Sequence, residues 1–241
     1  MNKDILYKII RDKGKDKWET SQLLIEYYKA KNNLNIFKAS ELAEKSKGQF
    51  IEFFNKETAY YDSLSIEPLF QNATNKEITH IDLNYFLIEK IKRKLYKNIS
   101  DYEFEKLCGN LFCNIFSTKE MRISPKSGDG GYDFYARVNI PEKCNKSSIF
   151  DIEIYGQSKK YKQNIDRPEI DKFLGAPFRK DLKAAPVIFV FATSSDFTDG
   201  AYKYANEQNI ICLNGLQIAS LIYRNLKNND DIDLIIKKLI K

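Results

Sequence analysis

The stretch SPKSGDGGYDFYARV, residues 124–138, sets three glycines and two aspartates in front of an alternating apolar run. The chain has only 10 glycines in 241 residues, so their concentration at 128, 130 and 131 marks a turn that needs positive φ or close approach of the backbone to something else. The YDFYARVNI that follows has the period and the aromatic and β-branched content of a strand. Asp133 therefore stands where a glycine loop opens into a strand.

Working outward, a polar PEKCNKSS separates this strand from FDIEIYGQSKKY, a second strand-like run, which predicts a hairpin. Residues two apart on a strand point the same way. Gln157 and Lys159 thus share one face, with Gly156 and Ser158 on the other, and pairing of the two strands sets Asp133 beside Gln157 and Lys159. A carboxylate and a carbonyl oxygen are ligands of the kind Mg²⁺ takes. A neighbouring lysine can orient or help deprotonate an attacking water and offset charge as a phosphodiester reacts. Gly128, Gly130 and Gly131 would let a phosphate backbone come close.

Farther along, Asp166 and Pro168 open a helix in RPEIDKFLGAPF as cap and first-turn residue. APVIFVFAT reads as a strand buried on both faces, and TDGAYKYANEQ, IICLNG and LQIASLIYRNL as helix, strand, helix. Upstream, DYEFEKLCGNLFCNIF puts Phe104, Leu107, Leu111 and Ile115 along one helical face. The order α-β-β-α-β-α-β-α predicts an α/β fold, a mixed central sheet flanked by helices.

The pattern changes near residue 100, and residues 1–97 read as an all-helical region. WETSQLLIEYYKAK spaces Leu23, Leu24, Tyr27 and Tyr28 as a helix, with Thr20 or Ser21 as cap. KASELAEKSKGQFIEFFNKETAYY reads as a short helix from Ser40, a break at Gly48 and a second helix from Gln49. That is a helix-turn-helix outline, shared with many helical hairpins that do not touch DNA. Phe50, Phe53 and Phe54 make the second helix apolar, which leaves Lys45, Lys47, Asn55 and Lys56 as its candidate DNA-contacting side chains. NATNKEITHIDLNYFLIEKIKRKLYKNI predicts one further helix, capped by Asn75 or Thr79 and basic at its end. Residues 1–97 would serve DNA recognition or dimerisation.

At 43% hydrophobic and 30% charged the chain is globular rather than disordered, and no apolar run approaches the ~20 residues of a membrane span. The N-terminus lacks an apolar core followed by a small-residue cleavage site, which predicts a cytoplasmic protein. Cys108, Cys113, Cys144 and Cys212 have no metal-ligand spacing and read as reduced core residues. The single histidine, His80, excludes a His-rich metal site and reads as structural. A net charge of +6 suits a polyanionic partner.

Taken in order, GDGGYD, the strand ending YGQSKKY, RPEIDKFLGA and VIFVFATSSDFTDGAYKYA resemble the catalytic domain of the Mrr-like restriction endonucleases. These form a branch of the PD-(D/E)xK nucleases in which glutamine replaces the acid of the E-x-K motif. The resemblance covers about residues 100 to 225 and implies a nuclease domain over residues 98–241. It implies Mg²⁺, with Mn²⁺ able to replace it, double-stranded DNA as substrate, and a role in restriction or phage defence; cutting both strands of a duplex then predicts a homodimer. Asp133 matches the family's metal-binding aspartate and Gln157 and Lys159 its Q-x-K. Glu105, in the Phe104-Glu105 pair, matches a helix glutamate that joins the metal site, so Asp133, Gln157 and Glu105 are the implied metal ligands. Asp129 matches the acid of the glycine loop. The Thr193-Ser194-Ser195 turn matches a segment that meets backbone phosphates, and Lys160, Thr193 and Ser194 are assigned to DNA contact. Two departures stand out: a long connection between the hairpin strands, and Pro177 where the family's helix continues.

Each of these residues also has a structural reading. Asp133 can close a strand-edge turn, Lys159 can belong to a solvated basic face, Glu105 can be a solvated helix glutamate, and Asp129 can cap the glycine turn. Glu153 shares the Gln157 face about 13 Å away at strand rise and reads as peripheral. Two functional alternatives stand beside a cutting enzyme: a catalytically silent DNA-binding module on a nuclease fold, and a structure-specific DNA-processing nuclease.

Overall fold

The computed structural model describes the chain apart from residues 16, 69, 81–83, 117, 119, 125–130, 142–147, 176–185 and 226–230. Gly128, Asp129, Gly130, Cys144 and Pro177 lie outside the described residues. The chain divides into two compact units, Met1–Leu87 and Ile88–Lys241.

The first unit runs α1 (Lys3–Lys13), β1 (Lys17–Glu19), α2 (Thr20–Asn32), α3 (Ile36–Ser63), β2 (Phe70–Ala73) and β3 (Glu77–His80). Helices make up most of it, but it is not the all-helical region expected: a three-stranded antiparallel sheet in the order β1-β3-β2 joins them. The segment NKEITH, expected to open a helix, does not. Instead Thr74 closes a turn, its hydroxyl accepting from the N–H groups of Lys76 (3.3 Å) and Glu77 (3.0 Å), and residues 77–80 pair with both neighbours. The helix begins only at α4 (Asn84–Lys97).

The break expected at Gly48 is absent, because α3 is continuous over 28 residues. Its buried residues, Ala39, Ala43, Phe50, Phe54 and Tyr61, follow one another at steps of four and seven. The apolar stripe therefore passes Gly48 in phase, and burial along it outweighs the ~1 kcal/mol that a helix-interior glycine costs relative to alanine. The helix-turn-helix outline is corrected accordingly.

The second unit follows with α5 (Asp101–Phe116), β4 (Glu120–Ile123), β5 (Phe134–Pro141), β6 (Ser148–Lys159), α6 (Arg167–Leu174), β7 (Val187–Thr193), α7 (Asp199–Glu207), β8 (Ile210–Leu213), α8 (Gly215–Arg224) and α9 (Ile232–Ile240). The sheet order is β4-β5-β6-β7-β8, antiparallel from β4 to β6 and parallel from β6 to β8. This is the mixed, helix-flanked α/β sheet predicted from the alternation, with β4 as an extra edge strand. Phe104, Leu107, Leu111 and Phe112 of α5 are buried together with Phe134, Ala136 and Ile154 of the hairpin, and the Phe112 and Phe134 rings stack at 5.5 Å. A second cluster joins Phe191 of β7 to Ile170 and Phe173 of α6 and Ala201 and Ala205 of α7. Asp166 occupies the cap position of α6 and Pro168 its first turn, although the Asp166 side chain makes no capping bond. The two clusters fix β6 between an antiparallel and a parallel neighbour, and β6 carries the residues of interest at its carboxyl end.

Candidate active site

The hairpin register pairs Phe134 with Gly156, so β5 starts while β6 still has three residues to run. Asp133 lies just before that start. Its N–H donates to Gly156 O at 2.8 Å. Two residues on, along the same edge of β6, the Ser158 N–H faces the place where β5 has not yet begun, and a buried N–H needs an acceptor. The Asp133 carboxylate supplies it: Oδ2 accepts from Ser158 N at 2.6 Å, from Ser158 Oγ at 3.0 Å and from Gln157 Nε2 at 2.6 Å. All three bonds fall on Oδ2, which leaves Oδ1 without a hydrogen bond among the described residues.

Two glycines shape this corner. Gly131 has φ of +91°, a left-handed value that glycine adopts at little cost, and it turns the loop into Tyr132-Asp133. At Gly156 a Cβ would lie 1.8 Å from Phe134 Cζ. The bare backbone of β6 thus makes room for the ring beside Asp133.

Asp133 is 8% exposed. Burial raises its carboxyl above the ordinary value, while the Ser158 backbone bond, the Lys159 ammonium, the Ser158 hydroxyl and the Gln157 amide act in the opposite direction. Lys159 is thus electrostatically coupled to Asp133, and it stays partly exposed at the strand end. Cys108, one helical turn after Glu105 on α5, is fully buried. Burial raises its thiol pKa well above the usual range, and the Asp133 and Glu105 carboxylates each add to that rise. The two carboxylates therefore both act on one buried thiol. The structure brings Asp133, Gln157 and Lys159 together at one corner of the sheet, and it adds Ser158, which strand alternation assigns to the other face; Glu105 stands on α5, within electrostatic reach of the same thiol as Asp133.

The residues assigned to DNA contact are placed otherwise. Thr193 and Ser194 are buried. Thr193 Oγ1 donates to Lys159 O at 2.9 Å and Ser194 Oγ to Tyr161 O at 3.1 Å, so both hydroxyls tie down the chain leaving β6 instead of reaching outward. Lys160 lies 3.7 Å from Asp101 and over the Tyr96 ring. In the first unit, Lys45 and Lys56 are exposed and pair with Glu41 and Glu52 one turn before them. Lys47 donates to Ser21 Oγ at 2.8 Å and Asn55 to Ala73 O at 3.3 Å. Glu153, read as peripheral, is a buried carboxylate accepting from the hydroxyls of Tyr135 and Tyr155 and facing Arg137 at 3.5 Å.

The donor set fits a hard divalent cation. Asp133 Oδ1, the Gln157 carbonyl once its amide is turned, and the Glu105 carboxylate are oxygens of the right kind. Mg²⁺ keeps several waters and takes few protein ligands. Among the described residues no three His, Cys, Asp or Glu side chains form a metal cluster; with two acids and an amide, this corner matches a water-rich oxygen site rather than a closed zinc site.

The second unit is thus a mixed α/β sheet with a buried aspartate, an amide and a lysine at one strand end. The sequence profile of the restriction endonuclease family, with its Mrr-type catalytic domain, matches residues 96–222, more than half of the chain, and the chain belongs to that family. Two solved structures are similar. One is the MspJI restriction endonuclease in complex with a 27-mer oligonucleotide, at 18% identity and a TM-score of 0.48, covering 63% of this chain and 34% of that one. The other is the DNA modification-dependent restriction endonuclease AspBHI, at 17% identity and 0.45, covering 65% and 39%. The chain thus spans between a third and two fifths of those proteins. Among curated proteins none matches.

Proposed function

We propose that the protein is a divalent-metal-dependent endonuclease of the PD-(D/E)xK type that hydrolyses phosphodiester bonds in double-stranded DNA, in a restriction or phage-defence role. The observation that carries this reading is the meeting of Asp133, Gln157 and Lys159 at the carboxyl end of β6, inside a chain of the restriction endonuclease family. Asp133, Gln157 and Glu105 would hold Mg²⁺, or Mn²⁺ in its place. Bound there, the cation supplies Lewis acidity to the phosphoryl group. Lys159 directs an ammonium at the same corner, where it orients the attacking water and offsets the negative charge that grows on the phosphoryl oxygens. Gln157 adds an oxygen without adding charge, which keeps the anionic count low where a phosphate must approach. Cutting both strands of a duplex calls for two such sites, and a twofold dimer is the simplest arrangement that provides them.

The test is direct. Purified full-length protein is incubated with methylated and unmethylated plasmid in Mg²⁺ and in EDTA, and the ends are mapped. Metal-dependent ends bearing 5′ or 3′ phosphate support the proposal, and the methylation arms report the substrate's modification state. Intact plasmid under every condition, together with tight DNA binding, would leave a silent DNA-binding module.

A further inference from the structure

We infer that Ser158, the residue between Gln157 and Lys159, is the positioning residue of the site, clamping Asp133 by both its N–H and its hydroxyl so that Oδ1 is the oxygen offered to a cation. This deepens the reading above and rests on Asp133 being a cation ligand.

Strand alternation sends the Ser158 side chain toward the face that holds Phe134, Ile154 and Gly156. Ser158 is 5% exposed and pairs with Ala192 on β7. A residue that only filled this space would be apolar, because a buried hydroxyl without a partner is costly. Among the described residues, the hydroxyl's hydrogen-bond partner is Asp133 Oδ2 at 3.0 Å, the same oxygen that takes Ser158 N at 2.6 Å and Gln157 Nε2 at 2.6 Å.

Two donors from one residue fix more than one would. The backbone N–H sets where Oδ2 lies. The hydroxyl, approaching from the side chain, restricts rotation of the carboxylate about that point. Gln157 contributes a third bond, but its amide is also wanted by a cation, so its hold on Asp133 is conditional. Ser158 has no second task and keeps its hold whichever way Gln157 turns. Outer groups of this kind commonly set metal affinity by about 10- to 100-fold.

The experiment compares wild type, Ser158→Ala and Ser158→Thr as full chains. Mn²⁺ binding is followed by calorimetry without DNA, cleavage by its dependence on Mn²⁺ concentration, and the Asp133 carboxylate by its ¹³C signal in metal-free protein. In Ser158→Ala we expect Mn²⁺ affinity to fall about 10- to 100-fold, the Mn²⁺ concentration for half-maximal cleavage to rise in parallel, and the rate at saturating Mn²⁺ to stay within a few-fold. The ¹³C signal should move. Ser158→Thr, which keeps the hydroxyl and suits a strand, should restore all three. Unchanged Mn²⁺ affinity and an unmoved ¹³C signal in folded Ser158→Ala would overturn the assignment. So would a loss that threonine fails to rescue, and if Ser158→Ala does not fold, wild-type behaviour of Ser158→Thr is the supporting result. A wild type that binds Mn²⁺ yet cuts no DNA sinks the nuclease reading alone. A wild type that binds no Mn²⁺ sinks both.

Discussion

Replacing Gly156 by alanine should damage the protein through Phe134. An ideal Cβ at position 156 would stand 1.8 Å from Phe134 Cζ and 2.2 and 2.3 Å from the two adjacent ring carbons. Carbon atoms prefer about 3.5–4.0 Å, so the ring would have to retreat by roughly 1.5–2 Å. It has nowhere to go: Phe134 is fully buried and stacks on Phe112, which stacks on Phe116 at 6.2 Å. Overpacking of this kind costs about 1–3 kcal/mol. The ~0.5–1 kcal/mol gained by removing a strand glycine offsets part of that, so a net loss of roughly 1–2 kcal/mol is expected. For a chain of this size that is a fall in Tm of about 2–8 °C, read by near-UV circular dichroism and urea titration. Phe134→Leu makes the cycle decisive. Leucine at 134 should be destabilising alone but should relieve the clash, so the double variant should be less destabilised than the sum of the singles by about 1 kcal/mol or more. Wild-type melting of Gly156→Ala, or additivity within error, would refute the packing argument.

Gln157→Glu should keep measurable cleavage and tighten cation binding, since the ligand gains charge without losing its oxygen; calorimetry showing no cation binding would remove Gln157 from the ligand set. Asp133→Asn should fold, because an amide oxygen can still accept from Ser158. Burial raises the Asp133 carboxyl above its ordinary 3.8, so the folded state holds its proton to higher pH than the unfolded state does. Wild-type stability should therefore fall relative to Asp133→Asn as pH climbs above 3.8 toward that raised value, and parallel stability–pH curves would count against the shift. Removing Lys45, Lys47 and Lys56 together should weaken DNA binding and flatten its salt dependence, by up to ~0.9 in log–log slope for each phosphate that is no longer neutralised. An unchanged slope would place the DNA-binding surface elsewhere.

The second unit is legible because its elements announce themselves in different ways. VIFVFAT has the unbroken β-branched and aromatic character of a doubly buried strand, and β5 and β6 show period 2 on either side of polar residues. That alternation, with the hairpin, sets Asp133 beside Gln157 and Lys159; what singles the three out as a candidate site is the resemblance carried by the ordered motifs. Ser158 does not follow from it, because alternation describes paired residues, whereas Asp133 sits just outside the pairing and its carboxylate turns round the strand edge. Thr193 and Ser194 look like phosphate ligands in sequence. The fold uses their hydroxyls on carbonyls at 159 and 161 instead, a choice that depends on β6 and β7 ending together. In the first unit, Gly48 is local punctuation that yields to an apolar stripe continuing in phase on both sides. The three short strands there offer three or four residues each, too few for period 2 to stand out. The turn at Thr74 uses the same residue types that cap helices, so NKEITH reads equally well either way.

The most direct test of the account is single-turnover cleavage of a DNA duplex in Mg²⁺ by wild type, Asp133→Ala and Lys159→Ala, with DNA affinity measured alongside in Ca²⁺. The account requires metal-dependent cutting by wild type and a loss of several orders of magnitude in both variants, with DNA affinity nearly unchanged, because these side chains serve the reacting phosphate rather than the grip on DNA. Near wild-type cutting by either variant would contradict it.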